Sequence, residues 1–204
     1  MKIICIGRNY AAHAAELNNP IPETPLLFLK PDTAILKDSK PFYHPDFSQD
    51  IHHEIEIVLK ISKNGKSIAP EFAHKYYESA TLGIDFTARD LQSELKSKGH
   101  PWEISKAFDH SAVIGEFHPL SDLTSADGHI DFKLFNNNVC VQHGNSSQMI
   151  TGFDRLISYA SKFFTLQVGD LIFTGTPAGV AKVKIGDMLE GFVGERKLLH
   201  CEIR

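Results

Sequence analysis

The amino-acid sequence predicts an α+β fold with a mixed, largely antiparallel β architecture. Three observations carry that expectation. Short apolar segments of strand length outnumber segments with helical spacing. They are not regularly interleaved with helices, which argues against a doubly wound parallel sheet. Two of them, Glu54–Ile61 and the tail from Met188 to Ile203, alternate in hydrophobicity with the period of a half-covered strand.

The elements follow in order. Met1–Ile6 reads as a short buried strand, followed by Gly7 and a polar turn. Asn9 is placed to cap a short helix running to about Leu17, which Asn18, Asn19 and Pro20 end. Pro20, Pro22 and Pro25 make an irregular crossing to a second strand, Leu26–Lys30, and Pro41 and Pro45 bracket another loop. After the alternating strand Glu54–Ile61, Asn64-Gly65 signals a turn. Glu71–Ser79 reads as helix and Ala80–Phe86 as strand. Thr87 and Asp90 resemble a capping box opening a helix to about Lys98. A strand is expected near Ala112–Ile114, then a pair, Ile130–Phe135 and Val139–Gln142, about Asn136, Asn137 and Asn138. Phe153, Leu156, Ile157, Ala160 and Phe164 share one helical face. That helix ends before Val168-Gly169-Asp170, a strand runs over Leu171–Thr174, and the tail turns at Gly194-Glu195.

With 204 residues and 22.8 kDa, the chain should fold to roughly 9,500 Å² of accessible surface, with a core that needs no staples. One domain is expected over residues 1–204. The formal charge of −4 argues against nucleic acid or anionic membrane as partners. No apolar run exceeds four residues, against the ~20 of a membrane helix, and the first run meets Arg8 too soon for a secretory signal. Cys5, Cys140 and Cys201 form no CxxC pair, so three scattered buried thiols in a reducing cytoplasm are expected.

Glu54 and Glu56 are the most informative residues. On a strand they share a face about 6.6–6.8 Å apart, with Ile55, Ile57 and Leu59 on the other. Two such carboxylates repel, and a cleft tolerates them only with a compensating cation. A solvated face is the simpler reading of an ExE strand alone. Asp85 alters the weighing, because it ends an apolar strand just before a helix, where loops carry function. Three converging carboxylates suit a hard ion, Mg²⁺ or Mn²⁺. By parity His52 lies on the glutamate face and His53 on the other, so an iron or zinc site including His52 is the less favoured alternative. The remaining histidines offer no ligand spacing.

Six stretches then carry a resemblance: GRNYAAHAAEL (Gly7–Leu17), FLKPDTA (Phe28–Ala34), HHEIEIVLKI (His52–Ile61), LGIDFTARDLQ (Leu82–Gln92), PWEISKAFDHSA (Pro101–Ala112) and VGDLIFTGTPAGVA (Val168–Ala181). In this order they resemble the fumarylacetoacetate hydrolase family, in its short branch of acylpyruvate hydrolases and oxaloacetate decarboxylases. The resemblance implies a mixed β-roll, a homodimer and one Mg²⁺ or Mn²⁺. It places Glu54, Glu56 and Asp85 on the metal ligands and Lys106 on a substrate-contacting lysine. His13 and Glu16 fall on a catalytic pair, and Arg89, Gln92 and Thr176 on positions lining the pocket. Arg8 stands where lysine is frequent in the family, and Ile84 precedes Asp85 where many longer relatives carry asparagine.

The implied chemistry acts on a small 2-oxo acid. His13 and Glu16 are i, i+3 neighbours, and a carboxylate on an imidazole makes it a better base for water. Hydrolysis of a 2,4-dioxo acid would use that base, whereas decarboxylation of oxaloacetate needs no water. An isomerase, tautomerase or hydratase, such as one acting on 2-hydroxyhepta-2,4-diene-1,7-dioate, would use the same ligands. A binding protein without turnover is the rival from another class. Gly175–Gly179 lacks the motif of a phosphate loop and reads as a turn lining substrate. Trp102 and the phenylalanines read as core. The Asn-Asn-Pro segment after the first helix suggests a helix able to close over substrate.

Overall fold

Strand pairing rather than helix packing organises the chain, whose computed structural model describes residues 1–17, 20–37 and 40–204. In its first part lie β1 (Ile3–Gly7), α1 (Ala11–Glu16), β2 (Leu26–Lys30), β3 (Ile35–Leu36), β4 (Ile51–His53) and β5 (Ile55–Ile61). Then come β6 (Tyr77–Asp85), β7 (Thr87–Ala88), α2 (Arg89–Lys98), α3 (Glu103–Lys106), β8 (Ala112–Ile114), β9 (His118–Pro119) and α4 (Leu120–Leu123). The last part holds β10 (Asp131–Asn136), β11 (Val139–Asn145), α5 (Phe153–Phe163), β12 (Leu171–Phe173), β13 (Ala181–Lys182), β14 (Met188–Val193) and β15 (Arg196–Glu202).

The main sheet runs β2-β1-β12-β5-β6-β8-β3, with β9 also on β6. A second sheet runs β11-β10-β14-β15, and a small third one β13-β4-β7. Among the described residues only β1 with β12 and β3 with β8 pair as parallel strands; the other strand pairs are antiparallel. The accessible surface is 9522 Å², the value expected for this mass. Among the described residues no helix is long and apolar enough to cross a membrane.

Side-chain alternation splits the apolar interior. Ile55, Ile57 and Leu59 of β5 enter the larger core with Ile4, Leu82, Ile84 and Leu156. Val58, on the face that carries Glu56, joins a smaller cluster with Ile3, Cys5, Leu171 and Phe173. Helix α5 supplies Leu156, Ile157 and Ala160 to the larger core, each large side chain contributing about 1.5–3 kcal/mol of burial.

Strand β5 is therefore covered on both faces, and only Lys60 is exposed. The solvated-face reading of Glu54 and Glu56 is excluded, since they are 4% and 2% exposed. Other expectations are corrected too. Asn9 does not cap α1: its amide donates to the carbonyls of Thr151 and Thr174, tying β1 to distant chain. Glu71–Ser79 is not an α-helix. A 3-10 turn covers Pro70–Tyr76, and β6 already begins at Tyr77, whose hydroxyl donates to Asp154. Thr87 and Asp90 form no capping box, because Thr87 belongs to β7 and Asp90 accepts from Ser48 and Gln49. Cys140 is exposed, on a strand at the edge of its sheet. Trp102 is half-buried, and Phe47, Phe72 and Phe163 are exposed, rather than core. The expected helix end at Asn18 and Asn19 lies outside the described residues.

Candidate active site

The β5–β6 register brings the acidic residues together. Ile55 pairs with Ile84 and Glu56 with Gly83, and the Asp85 amide donates to the Glu54 carbonyl at 2.9 Å. Both ends of this pairing thus point carboxylates to one place. Gly83 permits the approach, for a Cβ there would lie 2.7 Å from Val58 Cγ2 and 2.8 Å from Phe173 Cε1. Glu54, Glu56 and Asp85 each offer an oxygen within 4.8 Å of the others, all buried.

Three cations surround them. Lys106, the last residue of α3, donates to Glu54 Oε2 at 2.7 Å, Asp85 Oδ2 at 2.6 Å and Thr87 Oγ1 at 2.6 Å. Arg89, the first residue of α2, pairs with Glu54 Oε1 and donates to Gln92 Oε1 at 2.6 Å. Lys30, ending β2, places its ammonium 2.8 Å from Asp85 Oδ1. Glu56 lacks such a partner among the described residues; it accepts the Gly175 amide at 2.7 Å.

Burial penalises both glutamates, with opposite outcomes. For Glu54 the fields of Lys106 and Arg89 outweigh it and hold the carboxyl well below the ordinary range. For Glu56 burial and then Asp85 push the carboxyl well above it. Burial would lower the Lys106 ammonium, but Asp85 and Glu54 keep it raised, and so charged.

The donor set fits a hard divalent ion. Its ligand atoms are carboxylate oxygens, Glu56 has no compensating cation, and Asp85 Oδ1 accepts no hydrogen bond of suitable direction. His52 and His53 lie outside this group: His52 pairs with Asp50 at 3.1 Å and His53 with Gln142 at 2.9 Å.

His13 reaches the same pocket from α1 and is buried, with Nδ1 3.3 Å from Glu16 Oε2. The second Glu16 oxygen accepts the Gly179 amide at 3.0 Å, which anchors the pair to the turn after β12. Burial lowers the His13 imidazole below its usual value despite the raising fields of Glu54 and Glu16, so it is neutral near pH 7. Thr176 lines the pocket too, its hydroxyl accepting from Gln142 Nε2 at 2.9 Å.

Glu54, Glu56, Asp85, Lys106, His13, Arg89, Gln92 and Thr176 thus border one pocket, Glu16 touches His13 behind it, and the alternative ligand His52 lies outside it. Sequence reasoning missed Lys30 and Gln142. Gln142 accepts the Ile55 amide at 3.1 Å and so fixes the chain between the two glutamates. It carried no signal beyond a strand end. Lys30 did carry one, a lysine directly after four apolar residues. Phe28 and Trp102 form one wall, 6.2 Å apart. The free space among these side chains is ≈30 Å³, room for an ion or a water. Larger hollows elsewhere, such as the ≈620 Å³ groove beside Phe47 and Ile104, hold no converging carboxylates.

The fumarylacetoacetate (FAA) hydrolase C-terminal family model matches residues 2–203. The mitochondrial oxaloacetate tautomerase of Caenorhabditis elegans is 41% identical over 195 residues, covering 93% of this chain and 88% of that one. The mitochondrial oxaloacetate decarboxylase of Dictyostelium discoideum is 42% identical over 199 residues, covering 93% and 87%. A crystal structure of fumarylpyruvate hydrolase from Pseudomonas aeruginosa, in complex with Mn²⁺ and pyruvate, superposes with a TM-score of 0.91 at 37% identity, over 100% of this chain and 89% of that one.

Proposed function

The chain belongs to the fumarylacetoacetate hydrolase family, and on that premise we propose that it is a divalent-metal-dependent enzyme that draws electrons onto the keto oxygen of a small 2-oxo acid. One observation carries this reading: a buried carboxylate triad, a charged lysine and a neutral histidine border a single pocket. Relatives acting on oxaloacetate make that acid, as keto–enol tautomer or by decarboxylation, the first substrate to try. Cleavage of a 2,4-dioxo acid is the second.

Glu54, Glu56 and Asp85 would hold Mg²⁺ or Mn²⁺, which when bound supplies Lewis-acid polarisation to the keto group. The same carboxylate oxygens now accept from Lys106, so an ion taking them up would turn ammonium hydrogens toward substrate oxygens. Those hydrogens favour negative charge growing on the substrate in a site shielded from water. His13 takes the proton, from C3 of the acid in tautomerisation or from water in hydrolysis. Glu16 holds its ring and steadies the imidazolium. With ≈30 Å³ free among these side chains, binding of the acid requires side chains of the lining to shift. A homodimer belongs to the same proposal and is read by light scattering.

The test is consumption of oxaloacetate and acetylpyruvate with Mg²⁺ or Mn²⁺, followed by product mass. Fragments indicate C–C cleavage, and unchanged mass with altered enol absorbance indicates tautomerisation. Consumption of neither acid at any pH would remove the enzymatic reading for both.

His13→Ala separates the two chemistries. Tautomerisation and hydrolysis are expected to fall by about a hundredfold or more, while decarboxylation stays within about tenfold. Because the imidazole is shifted down, protonation removes the base only below the ordinary histidine value of about 6.5. The wild-type rate should therefore fall along an acid limb below that pH, and the variant should show no such limb. Equal loss of both activities would count against this division.

A further inference from the structure

The pocket holds more positive charge than its carboxylates consume. Its lining carries Glu54, Glu56 and Asp85 against Arg8, Arg89, Lys96 and Lys106. Arg89 and Lys106 are engaged by Glu54 and Asp85, and Lys30 backs Asp85 from outside the lining. Arg8 and Lys96 have no acidic side chain within ion-pair distance among the described residues. A divalent ion on the triad would enlarge this surplus.

Their placement is ordered along the pocket. Arg89, Gln92 and Lys96 are i, i+3 and i+7 on α2 and share one face. Lys96 stands about 6 Å of helix rise beyond Gln92, away from the carboxylates. The aromatic wall marks the same axis: Lys106 Nζ lies 5.1 Å from the Phe28 ring centre and Lys96 Nζ 5.2 Å from that of Trp102. A ring face holds an ammonium in position without neutralising it. Arg8, just after β1, borders the pocket and is the charged neighbour that weighs most on Lys96. Burial first, then Arg8, Arg89 and Lys106, bring the Lys96 ammonium down to about 8, which is how a cation short of a counter-anion behaves.

We infer that Arg8 and Lys96 form a distal carboxylate subsite, which selects 2-oxo acids bearing a second carboxylate over those ending in an apolar group. The inference rests on the 2-oxo acid reading above and adds to it the residues that choose among such acids. The first carboxylate and keto oxygen lie at the deep end beside Lys106, and the second carboxylate meets Arg8 and Lys96 at the outer end. Both are specificity residues, remote from the bonds that change.

The test is calorimetric binding of pyruvate and 2-oxoglutarate to Mn²⁺-loaded protein, which needs no turnover. The wild type is expected to bind 2-oxoglutarate at least tenfold more tightly than pyruvate. Lys96→Met and Arg8→Met should each reduce that preference at least fivefold, with pyruvate affinity within twofold and Mn²⁺ affinity unchanged. Lys96→Arg should retain the preference. Equal wild-type affinity for the two acids, or parallel losses of both in the variants, overturns the subsite and leaves the 2-oxo acid reading standing. Failure of the loaded wild type to bind either acid overturns that reading and the subsite with it.

Discussion

Replacing Glu56 by Gln is expected to weaken Mn²⁺ binding at least a hundredfold and slow turnover at least a thousandfold, while making the metal-free protein more stable. The opposite signs share one cause. Glu56 is 2% exposed beside Asp85 and Glu54, and among the described residues no cation pairs with it. Without an ion its charge is a cost, of which removal should recover about 1–2 kcal/mol, or about 2–8 °C in Tm for a chain of this size. With an ion, Glu56 supplies a third of the protein's anionic ligand charge. A hundredfold loss of affinity corresponds to about 2.7 kcal/mol. The amide is nearly isosteric, and its oxygen keeps the Gly175 amide as donor. Calorimetric titration with Mn²⁺ and melting curves with and without the ion read both signs. Unchanged Mn²⁺ affinity would show that the triad is not the binding site, and a lower metal-free Tm would show that Glu56 is compensated after all.

The acidic centre was legible because two local signals meet in it. The alternation from Glu54 to Ile61 fixed which side chains share a face, and the apolar run into Asp85 fixed where a strand ends. The antiparallel pairing of β5 with β6 does the rest. Strands with turn residues at both ends were equally readable, and Leu26–Lys30 and Ala112–Ile114 form with the expected bounds. What failed to show in the sequence depends on distant partners. Thr87 looked like a helix cap, yet its hydroxyl accepts from Lys106. Asn9 looked like another, yet its amide bridges segments more than a hundred residues away. Local hydrogen-bonding propensity is a weak guide where a tertiary acceptor competes. Arg89, Gln92 and Thr176 came from family resemblance alone, since nothing in their spacing says which way a helix or turn faces. Cys140 shows the converse limit: residue type suggested burial, but the edge position of its strand decided exposure.

Lys30 is the residue whose loss should cost the fold most. A lysine at a strand end ordinarily turns its ammonium to water, whereas this side chain is fully buried. Its ammonium contacts Asp85 Oδ1 at 2.8 Å, donates to Ser111 Oγ at 2.9 Å and also donates to the Lys106 carbonyl. One charge thus ties β2 to the end of β6, to the last residue of α3 and to the segment before β8. Lys30→Met leaves Asp85 with Lys106 alone, strands the Ser111 Oγ acceptor and leaves the Lys106 carbonyl with the Ser111 hydroxyl as its remaining donor. Breaking a buried pair from one side costs about 3–5 kcal/mol, so Tm should fall by about 6–20 °C. The effect should reach the chemistry as well, since Lys106 loses one of the two donors that fix its carbonyl. Turnover by the folded fraction is expected to drop at least tenfold. Denaturant unfolding of Lys30→Met, Asp85→Asn and the double variant separates the pair from simple packing. If the ion pair is the source, the double variant loses at least about 2 kcal/mol less than the sum of the singles. Additive losses would mean that Lys30 contributes through its aliphatic stem, and the charge network holding the triad would have to be redrawn without it.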